Sequence, residues 1–375
     1  MGPLKGLRVI ELQGIGPGPF CGMLLADLGA EVISIARSSS AAHHSSLISE
    51  RGKLSIALNI KKREGAEVVL KLCERCDVLI EGYRPGVTER LGIGPQPCME
   101  RNPRLVYGRM TGWGQTGPLS AAAGHDINYI SLSGALHAIG RQGERPVPPL
   151  NLVGDFGGGA MFLAFGVMSA VFEARQSGRG QVVDVSMVEG SAALMHMMYA
   201  MQAQGQWRNE RGTNLLDGAA PFYDTYETAD GKFVSIGALE PEFYRVLVKL
   251  VGLDTIETPS HPDSCDWPPI REKLTAIFKQ RTRDEWCRIL EGSDACFAPV
   301  LSTKEAPHHP QNRARGTFFE AAGVMQPAPV PRFSRTHPAI PTAASPAGSD
   351  GSAVLRSAGY SDTDIQVLRN CGALT

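Results

Sequence analysis

The N-terminal third of the chain alternates short apolar runs with longer amphipathic ones, an order that few folds accommodate. "LRVIEL" (7–12) leads through the Gly/Pro turn of "QGIGPGPFCGMLLADLGAEVISI" into a helical pattern and a second apolar run. "KKREGAEVVLKLCERC" then precedes "DVLIEGY", and "RLVYGRMTGWG" supplies a further run. This reads as strand, turn, helix, strand, repeated. Strands that alternate with helices predict a Rossmann-like parallel sheet. A length of 375 residues is more than one core usually serves, so two domains are expected.

The second half has a different texture. Residues 155–175 read as a helix that is apolar all round, and therefore buried. "GQVVDVSMVEGSAALMHMMYAMQ" gives a strand and then a Met-rich helix. "FYDTYETADGKFVSIGAL" (222–239) is a hairpin around Asp230-Gly231. Helical patterns follow at 241–252, 267–280 and 283–290, so a smaller α+β domain is expected to begin near 220. Residues 325–348, rich in Pro, Ala and Ser, read as an extended linker. Ser361 is a good N-cap for a last helix over 362–370.

Composition narrows the partners. Hydrophobic residues make up 43% and charged residues 20%, as in an ordinary globular protein. The net charge of −1 argues against the broad basic face that nucleic acid or an acidic membrane would require. An anionic ligand would have to be met by local arginines. The first apolar run is too short for a signal peptide, and no stretch approaches the roughly 20 apolar residues of a membrane span. The last residues, "CGALT", are not an S-K-L type signal. Eight scattered cysteines fit a reducing compartment. The expectation is a cytoplasmic protein, with peroxisome and mitochondrion left open. Cys73 and Cys76 have C-x-x-C spacing without a second pair, and read as plain helical cysteines.

Several standard sites are absent: no Lys precedes Ser or Thr as in a P-loop, and there is no H-E-x-x-H or G-x-S-x-G. Gly14, Gly16 and Gly18 hint at a dinucleotide turn, but Pro17 and Pro19 break the pattern. His43-His44 and His308-His309 lack convergent partners and read as surface residues, so no metal is expected. The remaining candidates are His125, Asp126, Asp155 and Glu240. Each could be structural: His125 and Asp126 could cap the helix of "DINYISLSGALHAIG", Asp155 the helix after it, and Glu240 the helix starting at Pro241. On pattern alone the structural role is favoured, though their position at element ends also points to chemistry, because sites in open α/β sheets gather at strand ends.

The segments "AGHDINYISLSGAL", "PLNLVGDFGGGAM" and "LDGAAPFYDTYETADGKFVSIGALEPEFY" occur in order, between "GPGPFCGMLLADLGAEV" and "DACFAPVL". On these the chain resembles the α-methylacyl-CoA racemases of the family III CoA-transferase superfamily. The resemblance implies that His125 and Asp155 flank the α-carbon of an acyl-CoA. It also implies that Glu240 pairs with the His of a partner subunit in an interlocked homodimer. CoA is expected at Arg37, at Ala57, Leu58, Asn59, Ile60 and Lys61, at Gly82, Tyr83 and Arg84, at Arg90, and at the Gly124–Asp126 turn. Arg37 is followed by three serines where the family often has Arg-Pro. The implied organisation is a large CoA-binding domain (1–190, completed by 330–375), a linker helix (191–221) and a small α+β domain (222–325).

Racemisation beside a thioester removes the α-proton from one face and returns one to the other. His125, with a reference pKa of ~6.5, suits one face. Asp155 suits the other if burial raises its carboxyl from the usual ~3.9. Gly157, Gly158 and Gly159 would let backbone approach the acyl chain. Glu240 would orient the imidazole, and the backbone N–H of Asp126 would stabilise the enolate oxygen. No metal or organic cofactor is called for, since coenzyme A is part of the substrate. Met187, Met195, Met197, Met198 and Met201 are either core or a compliant acyl surface. Two other readings stand beside the racemase: a CoA-transferase with Asp155 as nucleophile, and a non-catalytic acyl-CoA-binding protein.

Overall fold

The computed structural model describes residues 2–36, 48–253 and 267–375. Arg37, implicated in CoA binding, and the pair His43-His44 lie outside the described residues. The strands are β1 (Arg8–Leu12), β2 (Glu31–Ala36), β3 (Leu54–Ala57), β4 (Val78–Glu81), β5 (Val106–Thr111) and β6 (Val182–Ser186), then β7 (Tyr223–Glu227), β8 (Phe233–Gly237), β9 (Phe297–Val300), β10 (Phe318–Ala321) and β11 (Val324–Pro327). The helices of the first half are α1 (Pro17–Asp27), α2 (Arg63–Cys73), α3 (Val87–Arg90), α4 (Pro95–Arg101), α5 (Asp126–Leu132), α6 (Ala135–Ala138) and α7 (Phe162–Ser177). Those of the second half are α8 (Met187–Leu194), α9 (His196–Ala203), α10 (Pro241–Val251), α11 (Trp267–Phe278), α12 (Arg283–Leu290), α13 (Pro310–Arg315), α14 (Gly351–Ser357) and α15 (Asp362–Asn370).

The chain forms two compact units. One comprises 1–133, 150–194 and 316–375, the other 134–149 and 195–315. The first is built on a six-stranded sheet of order β3-β2-β1-β4-β5-β6, parallel throughout. This is the Rossmann-like sheet expected from the strand–helix alternation. Residues along each strand feed opposite faces. Ile10, Ile33 and Leu79 join one core with α2, α14 and α15, while Val9, Val32 and Val78 join another with α1 and α7. Covering both faces explains why these strands read as continuous apolar runs. The chain winds outward from β1 to β3 and then resumes at β4 on the other side of β1. The crevice of such a sheet opens at this switch point, above the carboxyl ends of the strands.

The C-terminal segment closes the sheet's β3 edge. Leu58 bridges Leu374, and Asn59 N–H donates to the Ala373 carbonyl at 2.8 Å. A second tie is a buried guanidinium. Arg51 holds Asp27 at the end of α1 and reaches Gln326 Oε1 and the Pro327 carbonyl, both at 2.8 Å, on the β10–β11 hairpin. Ser361 caps α15 as expected, its hydroxyl accepting from Asp364 N–H.

In the second unit β7 and β8 form the expected antiparallel hairpin, extended by β9. Against this sheet pack α10, α11 and α12, through Tyr244, Leu247, Leu274, Phe278 and Trp286. The helix expected over "DINYISLSGALHAIG" is two short ones, α5 and α6, broken at Gly134 with φ 84°.

Two expectations about the 155–175 segment need correction. Its helix begins earlier, as a π-helical stretch over Leu152–Met161 that runs straight into α7. The result is one 26-residue helix, long and apolar enough to cross a membrane by length and composition, where no such stretch was expected. Asp155 and three glycines hide it in the sequence. It is also not buried all round. Leu163, Val167 and Val171 face the core, whereas Phe165 is 74% and Phe172 69% exposed.

Candidate active site

The candidate residues of the first unit lie after β3, β4 and β5 and in the π-helical stretch, and the turn after β1 borders Asp155. After β1 comes the Gly/Pro turn. Gly16 caps α1 at φ 70°, a left-handed value that favours glycine. A Cβ there would lie 3.2 Å from the Asp155 carboxylate, so Gly16 also makes room for that side chain. A dinucleotide is poorly served here, because Pro17 and Pro19 offer no N–H groups to a pyrophosphate.

After β5 the chain turns through Gly112 and Gly124 into α5. A Cβ on Gly124 would strike the rings of Tyr129 (2.8 Å) and Trp113 (2.9 Å), so glycine is required by the aromatic packing behind the turn. The two rings meet edge-on at 4.8 Å, and the Tyr129 hydroxyl donates to the Gly124 carbonyl. His125 then takes the N-cap position, its N–H donating to Asn128 Oδ1 at 3.0 Å, with an exposed imidazole. Among the hydrogen bonds of the described residues, none is made by Asp126 N–H, at the first position of α5.

Asp126 and Asp155 are brought together. Asp126 is buried, and its Oδ2 accepts the Asp155 backbone N–H at 2.7 Å, while its Oδ1 has no partner. Gly154 makes this approach possible: a Cβ would lie 2.5 Å from Asp126 Oδ2. Asp155 does not cap the following helix, as the sequence allowed. Asn151 holds the cap position, and Asp155 sits in the first turn of the π-helical stretch, where Asn151 Nδ2 donates to its Oδ2 at 3.1 Å. A π-helix is rare and often marks a functional site. Burial raises the Asp155 carboxyl above the usual range; Asn151 opposes that shift, the Asp126 charge adds to it, and His125 counteracts it. Asp155 thus titrates within the field of both His125 and Asp126.

Gly158 and Gly159 are required by the packing around them. A Cβ on Gly158 would lie 2.6 Å from Ser191 N, and one on Gly159 would be 3.0 Å from Met187 and 3.1 Å from Pro17. The glycines therefore let the π-helical stretch settle on α8 and α1. Of the methionines, Met187 is core, and α9, which carries Met197, Met198 and Met201, buries none of its residues within the chain.

The residues expected to meet CoA fall into two groups. After β4, Gly82 and Arg84 are exposed, Tyr83 is half-buried, and Arg90 is exposed on α3. Neither Arg84 nor Arg90 has a carboxylate partner among the described residues. Both Arg84 and Asp155 act on the Tyr129 hydroxyl, which ties this turn to the Asp155 site: burial raises its pKa, Asp155 adds to that, and Arg84 opposes it. After β3, by contrast, Ala57, Leu58 and Ile60 are buried, and the Ala57 carbonyl accepts from Thr375 N–H at 3.1 Å. Asn59 Oδ1 accepts from Lys61 N–H at 3.2 Å, which leaves Lys61 as the exposed side chain of the set.

Glu240 belongs to the second unit. It occupies the N-cap position of α10 before Pro241, exposed and without a capping hydrogen bond from its side chain. Sequence reasoning passed over Asn151, Trp113 and Tyr129. Asn151 was findable, standing four residues before Asp155 and so on the same helical face.

The enzyme belongs to CoA-transferase family III, whose model matches residues 4–351. Over 370 residues, 98% of this chain and 96% of the relative, it is 48% identical to the alpha-methylacyl-CoA racemase of Mus musculus. Over 340 residues it is 46% identical to the alpha-methylacyl-CoA racemase of Homo sapiens, covering 90% of this chain and 88% of that one. A crystal structure of a CAIB/BAIF family protein from Brucella suis shares the fold, with a TM-score of 0.81 at 24% identity over 95% of this chain and 99% of that one.

Proposed function

We propose that this protein interconverts (2R)- and (2S)-2-methylacyl-CoA thioesters by 1,1-proton transfer through an enolate. The observation that carries the reading is Asp155: its backbone N–H is anchored to Asp126 Oδ2 at 2.7 Å, and its carboxyl, raised by burial, lies within the field of His125. The likeness to the mouse and human racemases supports it further.

In this reading the thioester α-carbon sits between His125 and Asp155. From one enantiomer the imidazole removes the proton and the neutral Asp155 carboxyl delivers one to the other face. From the other enantiomer the roles reverse. Paired acid–base groups supply about 10²–10⁴-fold. The enolate oxygen needs a donor as well, worth roughly 10²–10³-fold, and the unpaired Asp126 N–H is available for it. Arg84 and Arg90, free of carboxylates, take CoA phosphate groups. The protein acts as a homodimer in which Glu240 of one copy orients His125 of the other. The exposed imidazole, the uncommitted Glu240 carboxylate and the apolar face of Phe165 and Phe172 support that assembly.

The test is to incubate an enantiopure 2-methylacyl-CoA in heavy water. Deuterium at Cα with loss of optical purity is expected. Transfer of CoA to an added carboxylic acid, without exchange at Cα, would instead assign Asp155 as the nucleophile of a CoA-transferase. Binding with neither reaction would leave an acyl-CoA-binding protein.

A further inference from the structure

Beneath the Gly82–Arg84 turn lies an ion network that the reaction itself does not use. Arg109 of β5 is buried, and its Nε donates to Glu81 Oε1 at 2.9 Å. Its NH1 donates to Glu89 Oε1 at 2.7 Å, and its NH2 lies 3.3 Å from Glu89 Oε2 and 3.4 Å from Thr88 Oγ1. The other oxygen of Glu81 accepts the Tyr83 backbone N–H at 2.7 Å. One guanidinium thus grips both pieces of chain that carry Arg84 and Arg90: the turn through Glu81, and α3 through Thr88 and Glu89.

The charges matter as much as the grip. Glu89 directly precedes Arg90, and Glu81 lies three residues before Arg84. Either acid, left unpaired, would attract a neighbouring arginine and compete with an incoming phosphate. Arg109 occupies both. Its planar fork suits two carboxylates at once, which an ammonium cannot match. Glu89 is accordingly held below the usual carboxylate range, first by its hydrogen bond from Arg109.

We infer that Arg109 is a positioning residue for the anionic end of the substrate: by engaging Glu81 and Glu89 it aims the turn and α3 and keeps Arg84 and Arg90 free for phosphate groups. The inference rests on the reading that Arg84 and Arg90 meet the CoA moiety.

The experiment compares Arg109→Met, Arg109→Lys, Glu89→Gln and the double variants, reading KM and kcat with a 2-methylacyl-CoA and the affinity for free CoA by calorimetry. Arg109→Met should raise KM on the order of 10-fold, and weaken free CoA equally, while kcat changes less than about threefold. Adding Glu89→Gln to Arg109→Met should recover much of that loss, because the competing carboxylate is gone. A purely structural Arg109 predicts no such recovery. If Arg109→Met yields no folded protein, Arg109→Lys carries the same comparison with a smaller rise. Unchanged KM, a fall in kcat without a rise in KM, or no recovery on adding Glu89→Gln would overturn the inference. Arg84→Ala and Arg90→Ala separate it from its premise. If neither raises KM, the anion site itself is misplaced; if both do and the Arg109 variants do not, only the role of Arg109 falls.

Discussion

Burial disfavours a charged carboxyl, and at Asp155 it raises the pKa above the usual range, with the Asp126 charge adding to the shift. The same logic appears, without chemistry, at Glu11. It is fully buried, bonds Lys53 at 2.7 Å, leaves its Oε1 unpaired, and has a pKa raised from 4.5 to about 7, chiefly by burial. Between those two values the unfolded chain has lost a proton that the native protein still holds, so rising pH disfavours the fold. Glu11→Gln should therefore flatten the fall in stability from pH 4.5 to 7, read as the urea midpoint at each pH. An unchanged slope would place the titrating group elsewhere. At the ligand end, Arg84→Ala and Arg90→Ala should each raise KM far more than they lower kcat, checked by steady-state kinetics and by binding of free CoA.

At the scale of elements, the site depends on how closely the π-helical stretch settles on α8. Gly158→Ala would drive a Cβ against Ser191 N, a backbone atom that cannot swing aside. A loss of about 1–3 kcal/mol is expected, with activity falling further as Asp155 shifts. Arg51→Met, which strands the buried Asp27 and frees the β10–β11 hairpin, should cost about 3–5 kcal/mol. Denaturant titration checks both. Much of this architecture is legible in the sequence, because the signals are local: apolar runs for β1, β2, β4, β5 and β6, Asp230-Gly231 for the hairpin, Ser361 for the last cap. The π-helical stretch is not, since periodicity assumes 3.6 residues per turn and an Asp before three glycines reads as a helix start. The return of Leu374 to Leu58 is equally illegible, because nothing within either segment names the other. At the site, His125 and Asp155 stand out as ionisable groups after glycine turns. That Asp126 accepts the Asp155 N–H, and that Arg109 grips the Gly82–Arg84 turn through Glu81, depends on contacts between segments distant in the sequence.

For the whole molecule, the proposed homodimer makes two predictions. Phe165→Asp with Phe172→Asp places charge on the apolar face of α7. It should shift the protein to the monomer mass by analytical ultracentrifugation and abolish activity together. A dimer that persists would show that this face is not the interface. Complementation tests the shared site. Co-expressed His125→Ala and Glu240→Ala chains, each inactive alone, should regain activity in mixed dimers, where one site carries both lesions and the other neither. Mixed dimers confirmed by mass without recovery would place both residues in the site of a single chain.

The central claim is that His125 and Asp155 act on opposite faces of one α-carbon. Deuterium uptake at Cα from each pure enantiomer of a 2-methylacyl-CoA, followed in heavy water alongside optical purity, tests it most directly. His125→Ala should abolish racemisation yet leave slow exchange from one enantiomer, through Asp155. Asp155→Ala should leave slow exchange mainly from the other, through His125. Exchange of the same enantiomer by both variants, or racemisation by either at near the wild-type rate, would contradict the account.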